Sequence, residues 1–168
     1  MSLSFQDVVL PHLDAAYALA RWITRQPQDA EDVVQEALVR AMKYFSSYRG
    51  GSAKSWLLTI VRNTSYSWLQ RRPGSAQTEL SEELPERAQE STNPETLLLK
   101  NAHRQKVQAA IRELPLEFRE VVVLRELEGL GYKDIAAVVG VPIGTVMSRL
   151  ARARGRLQES LGEMRTSL

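Results

Sequence analysis

The feature that most restricts the fold is a helix–break–helix pattern in residues 132–150. A short segment with two central alanines ends at Gly140, a residue type that accepts the left-handed backbone of a tight helix exit. Val141 and Ile143 follow and can fill the corner between two crossing helices. A second apolar stripe then recurs every three or four residues, as one face of a helix requires. Its members are Val146, Leu150, Ala153, Leu157 and Leu161. The pattern predicts a helix-turn-helix.

The opposite face of the second helix is basic. With the apolar stripe turned inward, the outward side carries four arginines and no acid between residues 149 and 156. Arginine can hold guanine or a phosphate with two hydrogen bonds, and the first turn of such a helix contacts base edges in the major groove. The alternative is a helical hairpin with a solvated basic face. We predict DNA binding through Thr145, Ser148, Arg149, Arg152 and Arg154.

The distribution of charge divides the chain into three parts. Residues 1–72 carry nine basic and six acidic residues, residues 73–100 carry two and six, and residues 101–168 carry eleven and eight. The acidic middle contains proline, serine and few large apolar groups, so it cannot bury enough surface to offset the ordering of the chain. The sequence therefore predicts domains at 1–72 and 95–168, joined by a flexible acidic linker at 73–94.

Both flanks of this linker have helical periodicity, and neither alternates as a strand would. In the first flank, an apolar stripe from Val9 to Ile23 predicts a first helix. A second helix is expected to follow Asp29, which would be its N-cap, and a third is expected over residues 55–72. In the second flank, helices are expected at 97–114 and 117–127, before the helix-turn-helix. The predicted fold class is all-α, with two small helical domains that remain separate on their tether.

Composition excludes several classes of protein. The chain has no cysteine, which excludes disulfides and thiolate metal sites, and no apolar run approaches the roughly 20 residues of a membrane span. The N-terminus has no basic start followed by an apolar block, so we expect no secretory signal. His12 and His103 are far apart, and no HExxH motif or phosphate-binding glycine loop occurs. We therefore expect a cytoplasmic protein with no catalytic residues, metal or cofactor and no direct membrane insertion.

Three segments in order resemble the sigma factors of the extracytoplasmic-function (ECF) group, which are bacterial transcription initiation factors. DAEDVVQEA at 29–37 resembles the family's polymerase-binding helix, and SWLLTIVRN at 55–63 resembles its promoter-melting helix. The family's C-terminal promoter-recognition domain is similar to LPLEFREVV at 114–122, LRELEGL at 124–130 and GTVMSRLARAR at 144–154. The alternative is a helix-turn-helix regulator of the response-regulator type, whose receiver domain would need strands that the first flank does not show.

The resemblance implies a partner for each segment. Core RNA polymerase would bind Asp29, Asp32, Gln35 and Glu36. Opened minus-10 DNA would be held by Arg49, Trp56, Arg62 and Asn63, and duplex minus-35 DNA by the basic helix described above. The resemblance also implies an anti-sigma factor as a partner. Two positions depart from the family pattern, because Lys54 stands near the place of a usual aromatic residue and Met147 where many members have a basic one.

Overall fold

The structure is a computed structural model that describes residues 3–71 and 94–166. We call these ranges the N-terminal unit and the C-terminal unit. The linker predicted at 73–94 lies outside the described residues, apart from its last residue, Pro94. Within the two described ranges the secondary structure is helical and contains no strand, which confirms the all-α class.

The N-terminal unit is built from helices that bury small and branched residues against one another. Helix α1 (Phe5–Val9) leads through a 3₁₀ turn at Leu10–His12 into α2 (Leu13–Thr24). Helix α3 (Pro27–Tyr44) and α4 (Ala53–Arg71) complete the unit, with a 3₁₀ turn at Phe45–Ser47 between them. Its core contains Ala16, Leu19, Ile23, Ala30, Val33, Ala37, Leu57, Leu58 and Val61.

The start of α3 differs from the sequence prediction. The helix begins at Pro27, with Gln26 as its N-cap, two residues earlier than the predicted cap at Asp29. Proline suits the first helical position because its fixed φ is helical and its missing N–H would have no partner there. Asp29 therefore lies in the first turn, where its carboxylate faces the positive end of the helix dipole, and it is buried.

The C-terminal unit contains the predicted helix-turn-helix. Helix α5 (Pro94–Arg112) and α6 (Leu116–Val122) precede it, and α6 continues into a π-helical turn at Val123–Leu127. Helix α7 (Tyr132–Val139) and α8 (Ile143–Thr166) follow, and the chain bends by 100° between them. Val146, Leu150 and Ala153 are buried, which confirms the inward stripe of α8. In the described ranges no single helix is long and apolar enough to cross a membrane.

The two units pack directly against each other. Helix α4 of the N-terminal unit lies against α7, and α2 lies against α6. The buried apolar residues of both units belong to one continuous cluster. Both predicted helical domains are therefore present, but the sequence did not predict that they pack against each other. The reason lies in contacts between residues far apart in the chain, which the helical pattern of each segment does not contain.

Candidate functional site

The outward face of α8 begins with accessible polar and basic side chains. Ser148, Arg152 and Arg154 are exposed, and Thr145 and Arg149 are partly exposed in the first two turns. This face is free because Val146, Leu150 and Ala153 turn the apolar side of α8 into the unit. Met147, which is 51% exposed, adds an apolar side chain to the same surface. The structure thus brings together all five residues that the sequence predicts for duplex DNA.

Further along α8, Arg154 and Arg156 have partners within the C-terminal unit. Arg154 Nη2 lies 3.3 Å from a carboxylate oxygen of Glu126, and both side chains are about half exposed. A pair this exposed contributes little to stability, so Arg154 is only weakly held by Glu126. The guanidinium of Arg156 stacks over the Phe118 ring at 5.1 Å. Arg156 therefore covers the core of the unit, whereas Arg154 lies at the edge of the exposed basic face of α8.

The residues predicted for opened DNA fall into two groups. Arg49 lies exposed in the loop before α4, and Asn63 is exposed on α4 itself. Trp56, by contrast, is half-buried among aromatic rings, with its ring centre 5.2 Å from that of Tyr48 and 6.3 Å from that of Phe45. The Trp56 ring therefore fixes the loop against α4 in this conformation, and Asn63 offers the free donor and acceptor atoms.

Arg62 has a carboxylate partner from the other unit. Its Nε and Nη2 atoms donate to the two carboxylate oxygens of Glu120 at 3.0 and 3.2 Å. Its guanidinium also stacks on the Tyr66 ring at 3.8 Å. Burial, followed by the neighbouring Glu120 carboxylate, raises the pKa of Tyr66 to about 12. Arg62 is thus occupied in this conformation, although the sequence assigns it to DNA.

A second cation of α4 also binds the C-terminal unit. Lys54 Nζ donates to the Glu128 carbonyl oxygen at 2.7 Å and lies 3.2 Å from a carboxylate oxygen of the same residue. The side chains of Glu120 and Glu128 are fully buried. Sequence reasoning missed both glutamates, because a glutamate on a predicted helix is usually solvated. The sequence offered one indication of these contacts, which was that Lys54 departs from the family pattern.

A third contact joins the units at the end of α5. Arg25 Nη2 donates to the Arg112 carbonyl oxygen at 3.0 Å, and Arg119 donates to the Leu114 and Arg112 carbonyls at 3.1 and 3.3 Å. Both guanidiniums satisfy carbonyl groups that a helix end leaves without partners. Burial, and then the nearby Arg25 charge, lowers the pKa of Arg119 to about 10, so Arg119 remains charged at neutral pH.

The outward row of α3 is partly acidic and partly apolar. Gln35 is exposed and Asp32 partly exposed, whereas Asp29 is only 7% exposed and so cannot offer the accessible carboxylate that the sequence predicts. Glu36 is held by Arg71 at 2.9 Å and by Arg40 at 3.2 Å. The row continues into Val39 and Met42, which are 69% and 63% exposed. These two residues were missed, although their spacing from Gln35 places them on one helical face.

Exposed apolar side chains beside exposed polar groups indicate an interface with protein. A single exposed apolar residue is ordinary, but Val39 and Met42 are one turn apart and continue the row of Asp32 and Gln35. The basic face of α8 has the composition of a nucleic-acid surface instead. The geometry therefore separates a mixed polar and apolar face on α3 from a basic face on α8.

Comparison with known families gives two matches along the chain. Residues 8–73 match the model of Sigma-70 region 2, and residues 104–157 match that of Sigma-70, region 4. The first match contains α2, α3 and α4, and the second contains α6, α7 and most of α8. The faces described above therefore lie one in each matched region.

Individual relatives give the same result. The chain is 35% identical over 160 residues to the ECF RNA polymerase sigma factor SigE of Mycolicibacterium smegmatis, covering 95% of this chain and 62% of that protein. It is 42% identical over 134 residues to the ECF RNA polymerase sigma-E factor of Escherichia coli K12, covering 75% of this chain and 70% of that protein.

Solved structures extend the similarity to the fold. The sigma factor RpoE of Bartonella quintana, solved in complex with the anti-sigma factor NepR, is similar with a TM-score of 0.74 and 32% identity, over 94% of this chain and 96% of that one. CnrH, solved with the cytosolic domain of CnrY, shares the fold with a TM-score of 0.64 and 24% identity, over 95% and 88% of the two chains. With both Sigma-70 regions matched in order and a relative 42% identical over most of its length, the chain belongs to the ECF RNA polymerase sigma factors.

Proposed function

We propose that this protein binds core RNA polymerase, recognises a promoter and initiates transcription of a specific set of genes. The observation that carries the proposal is the exposed basic start of α8 on a helix-turn-helix, in a chain that matches both Sigma-70 regions. Its work is binding and DNA opening rather than catalysis, and it takes place in the cytoplasm with the polymerase. We further propose domain boundaries at 1–72 and 95–168.

The polymerase contact is proposed for the outward row of α3. Asp32 and Gln35 supply polar groups there, and Val39 and Met42 supply an apolar area that becomes buried on binding. Apolar burial at the centre with polar groups at the rim is the usual composition of a protein interface. Glu36 takes part only if its partners Arg40 and Arg71 release it, and Asp29 acts as a first-turn acid of the helix.

Promoter DNA is proposed to contact both units. In the major groove of the minus-35 duplex, Ser148, Arg149 and Arg152 contact base edges, and Thr145 and Arg154 contact the backbone. In the opened minus-10 region, Asn63 binds the edge of an unstacked base, and Arg49 and Arg62 hold phosphates. Trp56 supports the loop that carries Arg49 through its contact with Tyr48.

An anti-sigma factor is the further partner that we propose. The solved RpoE structure is a complex with the anti-sigma factor NepR, and this chain matches RpoE over nearly its whole length. The response-regulator alternative is not favoured, because the N-terminal unit is helical in its described residues and matches Sigma-70 region 2.

The first experiment measures promoter-specific transcription. Core RNA polymerase with the wild-type protein is expected to start at discrete sites on genomic fragments, above the level of core alone. Arg152→Ala is expected to weaken duplex promoter binding by about 1–3 kcal/mol, or roughly 5- to 150-fold, if Arg152 contacts a base. Lys106→Ala is the matched control, because Lys106 is an exposed cation on α5. Equal promoter binding by both variants would contradict the role of α8.

A second variant separates DNA opening from duplex binding. Asn63→Ala is expected to preserve binding to duplex minus-35 DNA and to polymerase, because Asn63 lies on the other unit and is exposed. Open-complex formation, measured by the reactivity of unpaired thymines, is expected to fall. If Asn63→Ala and Arg152→Ala failed at the same step, the proposed division between α4 and α8 would be wrong.

A further inference from the structure

Two fully buried carboxylates of the C-terminal unit meet two cations on one face of α4. Glu120 binds Arg62 with two hydrogen bonds, and Glu128 binds Lys54 through both its carboxylate and its carbonyl oxygen. Lys54 and Arg62 are about two helical turns apart, so they lie on the same side of α4. Leu58 lies between them and is also fully buried. This side of α4 is therefore closed by the other unit along two turns.

We propose that these two ion pairs form a latch that keeps the DNA-opening helix α4 closed in the free protein. We use the name latch for Lys54, Arg62, Glu120 and Glu128. The proposal rests on the role of α4 in DNA opening. A carboxylate that binds a guanidinium with two parallel hydrogen bonds occupies the place that a backbone phosphate would take. Glu120 therefore competes with DNA for Arg62, and α4 can hold opened DNA only after the latch has released it.

The chemistry of the latch suits a reversible contact. Burying two carboxylates removes their hydration, and the attraction to their partners offsets this loss only while the geometry stays intact. When the units separate, all four charged groups return to water, so opening regains the hydration that closure removed. The apolar cores within each unit have no such compensation. The ion pairs between the units can thus separate and form again without leaving a charged group buried and unpaired.

The latch occupies Lys54 and Arg62 of α4 and leaves the other two proposed surfaces accessible. Ser148 and Arg152 on α8 are exposed in the closed form, and so are Gln35, Val39 and Met42 on α3. The closed protein can therefore still meet duplex DNA and polymerase. Only the step that needs Arg62 is blocked. Because duplex binding remains possible while Arg62 is blocked, the free protein does not bind single-stranded nucleic acid before it has found a promoter.

The test first measures closure without any DNA. Because the sequence contains no cysteine, Ser46→Cys and Gln158→Cys provide two unique labelling sites, both exposed and in different units. Energy transfer between the labels is expected to be high in the wild-type protein and to fall in the variant with both Glu120→Gln and Glu128→Gln. Lys54→Ala, which removes a side chain that is 28% exposed, gives a milder opening if the double variant folds poorly. Exchanging the charges, with Arg62→Glu and Glu120→Arg together, is expected to restore part of the closure.

The second measurement uses a pool of single-stranded DNA oligonucleotides. If the wild-type protein is open about one tenth of the time, the double variant binds the pool about tenfold more tightly, because the closed fraction no longer competes. Binding to duplex promoter DNA, measured as a control, is expected to be unchanged. Equal energy transfer in wild-type and latch variants would overturn the latch. Opening without tighter single-strand binding would support the latch and overturn the role of α4 in DNA opening.

Discussion

At the scale of single residues, Gly140 fixes the exit from α7. Its φ is 78°, and its N–H donates to the Ala136 carbonyl oxygen at 2.8 Å. A residue with a Cβ atom in this left-handed conformation loses about 1–2 kcal/mol. No atom lies within 4 Å of a Cβ added there, so strain in the backbone is the whole effect. We expect Gly140→Ala to lower the free energy of unfolding by that amount, measured by urea denaturation.

Gly144 provides the matched control for this prediction. It lies in the first turn of α8, its φ is not positive, and an added Cβ would also meet no atom within 4 Å. Alanine is a better helix former than glycine by about 1 kcal/mol at an interior position and by less near an end. Gly144→Ala is therefore expected to preserve or raise stability. A similar loss in both variants would mean that the backbone angle at residue 140 does not set the effect.

Tyr66 reports on the surface between the units. Burial is the main reason that its pKa rises to about 12 from an ordinary value of 10.0, and the negative charge of Glu120 is the second. Because the folded pKa is the higher one, this group stabilises the fold fully below pH 10 and loses that contribution as the pH rises from 10 to about 12. We expect phenolate absorbance to show a late titration that Tyr66→Phe removes and that Glu120→Gln shifts to lower pH.

At the scale of helices, the sequence predicts most of the architecture because local patterns determine it. The inward stripe of α8, the glycine at the end of α7 and the helices on both sides of the linker are all confirmed. The start of α3 was misplaced because Asp29 and Pro27 are both common near helix starts, and the choice depends on backbone geometry. That same choice places Asp29 in the first turn of α3, where it is buried, whereas Asp32 is partly exposed.

The row on α3 gives a prediction at this scale. Met42→Ala removes an exposed thioether side chain, so we expect the free energy of unfolding to change by no more than about 0.5 kcal/mol. Affinity for core RNA polymerase is expected to fall about 5- to 30-fold, since a side chain buried at an interface contributes roughly 1–2 kcal/mol. Competition against a labelled sigma factor for limiting polymerase measures this change.

Leu10→Ala is the control for Met42→Ala. Leu10 is 59% exposed and lies in the 3₁₀ turn between α1 and α2, away from the row on α3. It tests whether loss of any exposed apolar side chain weakens polymerase binding. If both substitutions reduced competition equally, the polymerase contact would not be specific to α3.

At the scale of the whole molecule, the sequence is silent about how the units meet. Arg62 and Glu120 are 58 residues apart in the chain, and Lys54 and Glu128 are 74 apart. Nothing local marks these glutamates as buried, because each follows ordinary helical spacing among other charged residues. Their burial depends on the surface that α4 presents to them, and such a pairing becomes visible only in three dimensions. The contact between Arg25 and the Arg112 carbonyl oxygen likewise depends on how the units pack.

This arrangement predicts how the two units behave when separated. Each has its own buried apolar centre, formed by α2, α3 and α4 in one and by α6, α7 and α8 in the other. Fragments 1–72 and 95–168 are therefore expected to be helical by circular dichroism. Each is also expected to be less stable than the intact chain, because a unit of this size buries a smaller fraction of its surface. Mixed in solution, they are expected to associate through the latch.

The association of the fragments distinguishes a specific contact from simple apolar adhesion. Arg62→Ala in the first fragment leaves the Glu120 carboxylate without its partner when the complex forms, so the desolvation of that charge is no longer offset. Titration calorimetry is expected to show binding between wild-type fragments and its loss with this variant. Asn63→Ala, at the exposed neighbouring position, is expected to bind as the wild type does. Equal binding by both variants would mean that apolar burial alone joins the units. Closure would then not depend on Arg62, the cation proposed to hold DNA phosphates.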